Sequence, residues 1–159
     1  MTFRETVPSD PVAHGLLSDY FASRELGFTG ANGYTIVHPG DEQFTPPHGV
    51  FLVVEFDGEP VGCGGIRAID AGPDGGVRFE VKHLWVDPRA RGTGLGGSLL
   101  DELESRSIGF GATEAVLDTN SSLESAAALY RSRGYVAIAP YNDNPNATNW
   151  YGKALHRPD

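Results

Sequence analysis

Residues 91–97 read Arg-Gly-Thr-Gly-Leu-Gly-Gly, and few settings accept four glycines and an arginine within seven positions. Upstream, Val77–Val86 reads as a strand that Pro88 ends; downstream, Leu95, Leu99, Leu100 and Leu103 mark one side of a helix over about 94–108. A strand, a glycine turn and a helix in direct succession leave the first helical N–H groups unpaired at the positive end of a helix dipole, worth roughly half a charge. Glycine lets a backbone approach an anion closely and permits positive φ. Arg91 adds a cation at the mouth. An anion, most simply a diphosphate, is expected on the amides of Arg91–Gly97; a turn that merely packs is the alternative.

Two common owners of such a turn fit poorly. A dinucleotide fingerprint follows the first strand of a βαβ unit and needs an acid about 20 residues on, whereas this turn follows a run of strands. A Walker A loop needs Gly-Lys-Ser/Thr, which the chain lacks.

The remaining elements follow from pattern. Phe3–Val7 reads as an edge strand closed by Pro8, and Ser9 or Asp10 can cap a helix over about 11–26 with Pro11 at its first position. Residues 27–49 hold five Gly and three Pro and read as a long loop, of a length that is usually functional. Gly49–Phe56 and Val61–Ile69 flank Asp57-Gly58, a strong hairpin signal. Thr113–Asp118 is a strand, Ser121-Ser122-Leu123-Glu124 a capping box opening a helix that stops at Gly134, and Tyr135–Ala139 and Asn149–Leu155 are closing strands. The order β α (loop) β β β α β α β β gives an α/β (α+β) fold with one mixed sheet, and 159 residues without a dividing linker suit a single domain.

Composition narrows the function classes. The net charge of −9 disfavours nucleic acid, whose binding needs clustered Lys and Arg. The acid is uneven: residues 1–79 carry net −7 and 80–159 net −2, so an anionic ligand suits the second half and a cationic one the first. The longest apolar run, Val50–Val54, is far short of the roughly 20 residues of a membrane span. The first residues lack the apolar stretch of a secretory signal, and the one cysteine, Cys63, makes no internal disulfide. A cytoplasmic protein with no membrane partner is expected. Cys63 reads as a small buried hydrophobe more readily than as a nucleophile, and the scattered His14, His38, His48 and His156 show no metal-ligand spacing.

The stretch Val86-Asp87-Pro88…Arg91-Gly92-Thr93-Gly94-Leu95-Gly96 resembles the acetyl-CoA motif Q/R-x-x-G-x-G/A of the GCN5-related N-acetyltransferase (GNAT) family, with Arg91, Gly94 and Gly96 in its places. Ala127-Ala128-Leu129-Tyr130…Gly134-Tyr135 resembles that family's A-x-x-L-Y-x-x-x-G-F/Y helix and strand, and the strand order agrees. The likeness spans nearly the whole chain and is weakest over 27–49; the close, from Pro140 to Lys153, is similar to a bacterial subgroup.

The resemblance implies a mixed, mostly antiparallel sheet splayed between two parallel strands and flanked by helices, with acetyl-CoA as co-substrate and no metal. It places Leu84, Trp85 and Val86 along the pantetheine arm, the amides of Arg91, Gly92, Thr93, Gly94, Leu95, Gly96 and Gly97 on the diphosphate, and Asn120 at the end of the second splayed strand. Tyr130 matches the tyrosine that can protonate the departing thiolate, a feasible transfer from a phenol near pKa 10 to a thiol near 8.5. Glu80 is the candidate base for the amine, with water relay as the alternative; strand alternation puts Glu80, Lys82, Leu84 and Val86 on one face, with His83 turned away. Lys82 can pair with Glu80. Backbone N–H near Val86 would hold the acyl oxygen.

The acid-rich half, with Asp19, Glu25, Asp41, Glu42 and Glu55, is expected to face the acceptor and to draw a small cationic amine. Tyr34, Phe44, Pro46 and Pro47 are expected to line that pocket, and Tyr141–Asn146 to close it. The expected activity is N-acetyl transfer by direct attack in a ternary complex. Alternatives are a silent acyl-CoA-binding module and a protein lysine or N-terminal acetyltransferase; a homodimer is left open.

Overall fold

Asp57 and Gly58 both take positive φ, 52° and 80°. This is the backbone of a two-residue turn whose twist matches the strands it joins. The turn registers strands β2 (Gly49–Phe56) and β3 (Glu59–Ala68) at the heart of a seven-stranded sheet ordered β1-β2-β3-β4-β5-β7-β6. The other strands are β1 (Thr2–Thr6), β4 (Arg78–Val86), β5 (Glu114–Thr119), β6 (Val136–Ala137) and β7 (Asn149–Ala154). The helices are α1 (Pro11–Gly27), α2 (Leu95–Gly109) and α3 (Glu124–Ser132). This computed structural model describes residues 1–27, 38–120 and 124–156. Tyr34 and the Ser121-Ser122-Leu123 part of the capping box lie outside the described residues. No helix among the described residues is long and apolar enough to cross a membrane.

Every strand pair is antiparallel except β4–β5. The sheet therefore has two faces and two cores. One packs Val50, Leu52, Val54, Ile66, Phe79 and Val81 beneath Leu95, Leu99, Leu100 and Leu103 of α2. The other packs Phe51, Val53, Cys63 and Trp85 beneath Ala13, Leu16, Leu17, Tyr20 and Phe21 of α1. Asp10, rather than Ser9, caps α1: its carboxylate accepts from the amides of Val12 and Ala13, both at 3.1 Å. The Ala13 amide bond, then the Arg4 contact, hold its carboxyl below the ordinary value.

The expected alternation along β4 fails in its middle. Cys63 pairs with Trp85 and Gly65 with Lys82, so β4 carries one residue more than β3 over this stretch, and His83 sits at φ 59° as the extra residue. Phe79 and Val81 point to the α2 core, Trp85 to the α1 core, and Leu84 and Val86 pack on the α2 side again. Glu80 and Lys82 thus do not share a face with Leu84 and Val86. His83 lies on the Glu80 side, its ring 5.5 Å from Tyr20 and 6.2 Å from Phe44.

Glycines make room for this arrangement. A Cβ at Gly65 would lie 2.5 Å from the Phe44 ring, and one at Gly64 would lie 3.0 Å from the Leu84 side chain. Phe44, expected to line a pocket, is instead fully buried against Phe51. Replacing Gly65 by Ala is expected to cost about 1–3 kcal/mol by overpacking, measured by urea unfolding. Gly65→Ala combined with Phe44→Leu regains part of that loss if ring and glycine share one space; strictly additive losses would show that they do not.

Candidate functional site

β4 and β5 pair only through Arg78–Glu80 and Glu114–Val116. β4 runs on to Val86 and β5 to Thr119, so beyond Glu80 the strands part and a cleft of about 380 Å³ opens at the break. Its wall is Leu84, Trp85 and Val86 of β4, the turn residues Ala90, Arg91, Gly92 and Gly94, the first α2 residues Leu95, Gly96 and Gly97, Tyr20 and Ser23 of α1, and Ala126, Leu129 and Tyr130 of α3. All cofactor residues expected from the sequence stand on this wall except Thr93 and Asn120. The Thr93 hydroxyl donates to the Ala90 carbonyl at 2.6 Å, on the side of a separate groove with Met1 and Phe56. The Asn120 amide donates to the Asn146 carbonyl at 3.0 Å, fastening the end of β5 to the loop before β7.

The turn is built for close backbone approach. Gly92 and Gly94 take φ 82° and 79°, and a Cβ at either would meet nothing within 4 Å, so conformation rather than crowding calls for glycine there. Gly94 is the N-cap of α2, and no side chain caps the first-turn amides. Gly97 is glycine for another reason: a Cβ there would lie 2.1 Å from Nη2 of Arg133. Arg133, a cation missed in the sequence, thus rests on the first turn of α2, with Nε 3.5 Å from Asp101. Its only signal was a position one residue before Gly134. The Arg91 guanidinium donates to the Val86 carbonyl at 2.9 Å and keeps its other donors at the cleft mouth.

Two further features mark the cleft. The Trp85 indole Nε1 is buried without a hydrogen-bond partner. Tyr130 is 8% exposed, between Tyr135 and Tyr151 at ring separations of 6.0 and 6.5 Å. Uncapped amides, glycines that leave space, two arginines and a free strand edge suit a long ligand with a phosphate group at one end. Acetyl-CoA has that form.

Behind the cleft, on the α1 face, lies a buried charge network. Glu80 is 1% exposed, and both its oxygens are engaged: Arg67 Nε and Nη2 donate to Oε1 at 3.0 and 2.9 Å, and the Tyr141 hydroxyl and Asn142 amide donate to Oε2 at 2.7 and 3.4 Å. The Lys82 ammonium is 3.7 Å from Glu80 and 3.4 Å from Asp118, which also accepts from Asn142 at 2.7 Å and Asn144 at 3.1 Å. Burial, then the Glu80 charge, pushes the Tyr141 phenol far above its ordinary pKa, so it remains a donor. Burial likewise raises the Cys63 thiol, whose sulfur points to the His83 carbonyl.

A second cavity of about 430 Å³ opens over this network, lined by Phe21, His38, Gln43, Arg67, Lys82, His83, Asn142, Asn144 and Asn146. Tyr141–Asn146, expected to close the acceptor pocket, supplies part of this wall. The described acids expected to face it are not among its lining residues. Asp41 accepts from the Ser9 amide and hydroxyl, Glu55 pairs with Arg4 at 2.9 Å, and Asp19 is exposed. Glu42 lines a different groove with His48, Pro46 and Pro47 are exposed, and the Glu25 side chain lies outside the described residues.

Known proteins share this architecture. A model of the acetyltransferase (GNAT) family matches residues 17–135. The uncharacterised N-acetyltransferase YjgM of Escherichia coli is 32% identical over 122 residues, covering 73% of this chain and 71% of that one. An acyl-CoA N-acyltransferase, so described, from Klebsiella pneumoniae has a crystal structure 27% identical to this chain, with TM-score 0.75 and coverage of 98% and 97%. A GNAT-family structure from Elizabethkingia anophelis with acetyl-CoA bound aligns at TM-score 0.65 and 16% identity, covering 98% and 97%. The chain spans about three fifths of the length of the first curated relatives it matches. With the end of β4, the glycine turn and Tyr130 all in one cleft, and a family model matching three quarters of its length, the chain belongs to the acetyltransferase (GNAT) family.

Proposed function

We propose that this chain is an acetyl-CoA-dependent N-acetyltransferase that passes the acetyl group directly to the amine of a small molecule. The observation that carries the reading is the cleft at the β4–β5 break, which joins uncapped α2 amides, a free β4 edge and the Tyr130 phenol. Bound acetyl-CoA would supply a thioester whose acetyl carbon accepts the amine nitrogen as the carbon–sulfur bond breaks.

Each residue has a part in that exchange. The amides of Arg91–Gly97, with the Arg91 and Arg133 guanidiniums, hold the diphosphate end. The main chain of Leu84–Val86 pairs with the pantetheine arm as an added strand, and an N–H near Val86 donates to the acyl oxygen as negative charge grows there. The Tyr130 hydroxyl gives its proton to the departing sulfur. The Trp85 indole N–H, buried without a partner, is available to an acceptor atom in the cleft. Cys63 is fully buried and off the cleft wall, which supports direct transfer over an acyl-enzyme.

Glu80, the base expected from the sequence, enters this proposal as a positioning residue. Its oxygens already receive donors from Arg67, Tyr141 and Asn142, and it lines neither cavity. The amine proton leaves through water.

Three outcomes are expected. Gly94→Glu puts a carboxylate at the helix N-terminus and loses acetyl-CoA binding by more than about 10²-fold in calorimetry, whereas Gly94→Asn, which tolerates positive φ, retains most of it; equal affinity for wild type and Gly94→Glu would remove the diphosphate assignment. Tyr130→Phe lowers kcat by about 10²-fold with acetyl-CoA affinity unchanged, read by thiol release. Glu80→Gln raises the acceptor KM while the acidic limb of the kcat/KM pH profile stays in place; loss of that limb would return Glu80 to the role of base.

A further inference from the structure

We propose that the acceptor amine carries its own carboxylate, making it a zwitterionic amino acid rather than a polyamine or other polycation. This inference rests on the acetyltransferase reading and names the substrate class of the same site.

The argument is a count of unused hydrogen-bonding capacity in the cavity over β4. Its walls hold the Arg67 guanidinium and the Lys82 ammonium, but none of its described lining residues carries a carboxylate. The two nearby carboxylates, Glu80 and Asp118, lie beneath the wall and are already supplied with donors. Glu80 accepts two bonds from Arg67, one from Tyr141 and one from Asn142; Asp118 accepts from Asn142 and Asn144. The amide oxygens are engaged too: Asn142 Oδ1 takes the Trp150 indole N–H at 2.9 Å and the Asn144 amide at 3.2 Å, and Asn144 Oδ1 takes the Asn146 amide at 3.0 Å. A second ammonium entering here would find each of these oxygens already holding a protein donor, and would meet two cations.

The donors are not exhausted. A guanidinium has five N–H groups, and Arg67 directs three of them to Glu80 and Gln43. Lys82 stands 3.4 to 3.7 Å from its carboxylates, longer than a close charge-assisted bond. Arg67 and Lys82 therefore both retain N–H groups for a ligand oxygen. An arginine and a lysine side by side, with their counter-charges behind them, form a receptor for a carboxylate.

Position fixes which end goes where. His83 lines this cavity and its neighbour Leu84 lines the cofactor cleft, so the two spaces flank the β4 bulge. A carboxylate on Arg67 and Lys82 leaves the amine of the same molecule directed towards residues 83–84, where the acetyl group would lie. The acid-rich half of the chain does not contradict this, because the described acids there are paired, exposed or on other grooves.

The test uses the intact wild-type protein with acetyl-CoA and follows thiol release. Phenylalanine, histidine and lysine are each compared with their methyl esters and with phenethylamine, histamine and cadaverine, spermidine serving as the polycation. At least one amino acid is expected to exceed its ester and its decarboxylated amine by about 10- to 100-fold in kcat/KM, chiefly through KM, the range for a hydrogen bond to a charged group. In Lys82→Met, and in Arg67→Gln with Arg67→Lys as the charge-keeping partner, the ratio of acid to ester kcat/KM falls towards one, whatever the variant does to the ester itself. Both cations offset buried carboxylates, so a variant that fails to fold leaves the wild-type acid-against-ester comparison as the deciding readout. Equal or better turnover of the esters, decarboxylated amines or spermidine, or turnover of no amino acid at all, overturns the proposal. Ligand-detected NMR of the same acids and esters on protein without acetyl-CoA separates the two readings: selective binding of the acids with no acetyl-CoA binding would fail the acetyltransferase reading and leave the carboxylate receptor standing.

Discussion

One extra residue in β4 sets the geometry of both cavities. His83 is inserted opposite the Cys63–Gly65 step of β3, at positive φ, a conformation that non-glycine residues adopt at a cost. Before it, Glu80 and Lys82 face α1; after it, Trp85 does, while Leu84 and Val86 turn to α2. The bulge twists the strand away from β5, so the parallel pairing that begins at Arg78 ends at Glu80. Main-chain groups that a regular sheet would have consumed are left at the edge of a cleft, where the proposed function has an acyl-CoA ligand complete them. Gly64 and Gly65 answer the same constraint from β3, since the side chains of Leu84 and Phe44 occupy the volume that a Cβ would need.

The break between β4 and β5 also creates an electrostatic difficulty, and the chain resolves it locally. Glu80 and Asp118 stand on the two separating strands, close to the opening, and burying either alone would be expensive. Arg67 arrives from β3 in register with Glu80, Lys82 bridges towards Asp118 across the gap, and Asn142 donates to both carboxylates from the loop before β7. The loop is thereby fastened to the sheet by the same bonds that neutralise the acids. Removing one partner would leave a buried charge uncompensated, which makes Glu80 part of the framework beneath the cavity over β4.

The strands, helices and glycine turn were legible because their signals are local. Asp57-Gly58, the β2 limits at Gly49 and Phe56, and the strand–glycine–helix run through residue 97 each specify backbone geometry within a few positions. The site was less legible where contacts cross the sheet. No periodicity reveals an inserted residue, so alternation put Leu84 beside Glu80; the bulge is visible only in the pairing with β3. Arg133 was missed because its place at the α2 N-terminus depends on α3 returning over Gly97, a contact between residues far apart in the chain. Phe44 was assigned to a pocket because the loop around it has no period, yet a glycine twenty-one residues later provides its hole in the core.

Charge shows most clearly how a sum over sequence misleads about a site. A net −7 over the first 79 residues suggests a binding surface for cations, but a potential at a cavity depends on which groups are near and what they already bind. At about 0.15 M salt, charges on exposed side chains beyond roughly 8 Å are largely screened, and most of these acids lie on the edge strand, in turns or in capping bonds. What a ligand meets in the cavity is a different inventory: two carboxylates behind the wall that already hold protein donors on both oxygens, and two cations whose donors are only partly used. Formal charge there is balanced, so selection falls to unsatisfied hydrogen-bonding capacity, which is directional and short-ranged. A chain that is acidic overall can in this way hold a site suited to a carboxylate, because recognition in a partly buried pocket follows the donors left over after the protein's own network is satisfied.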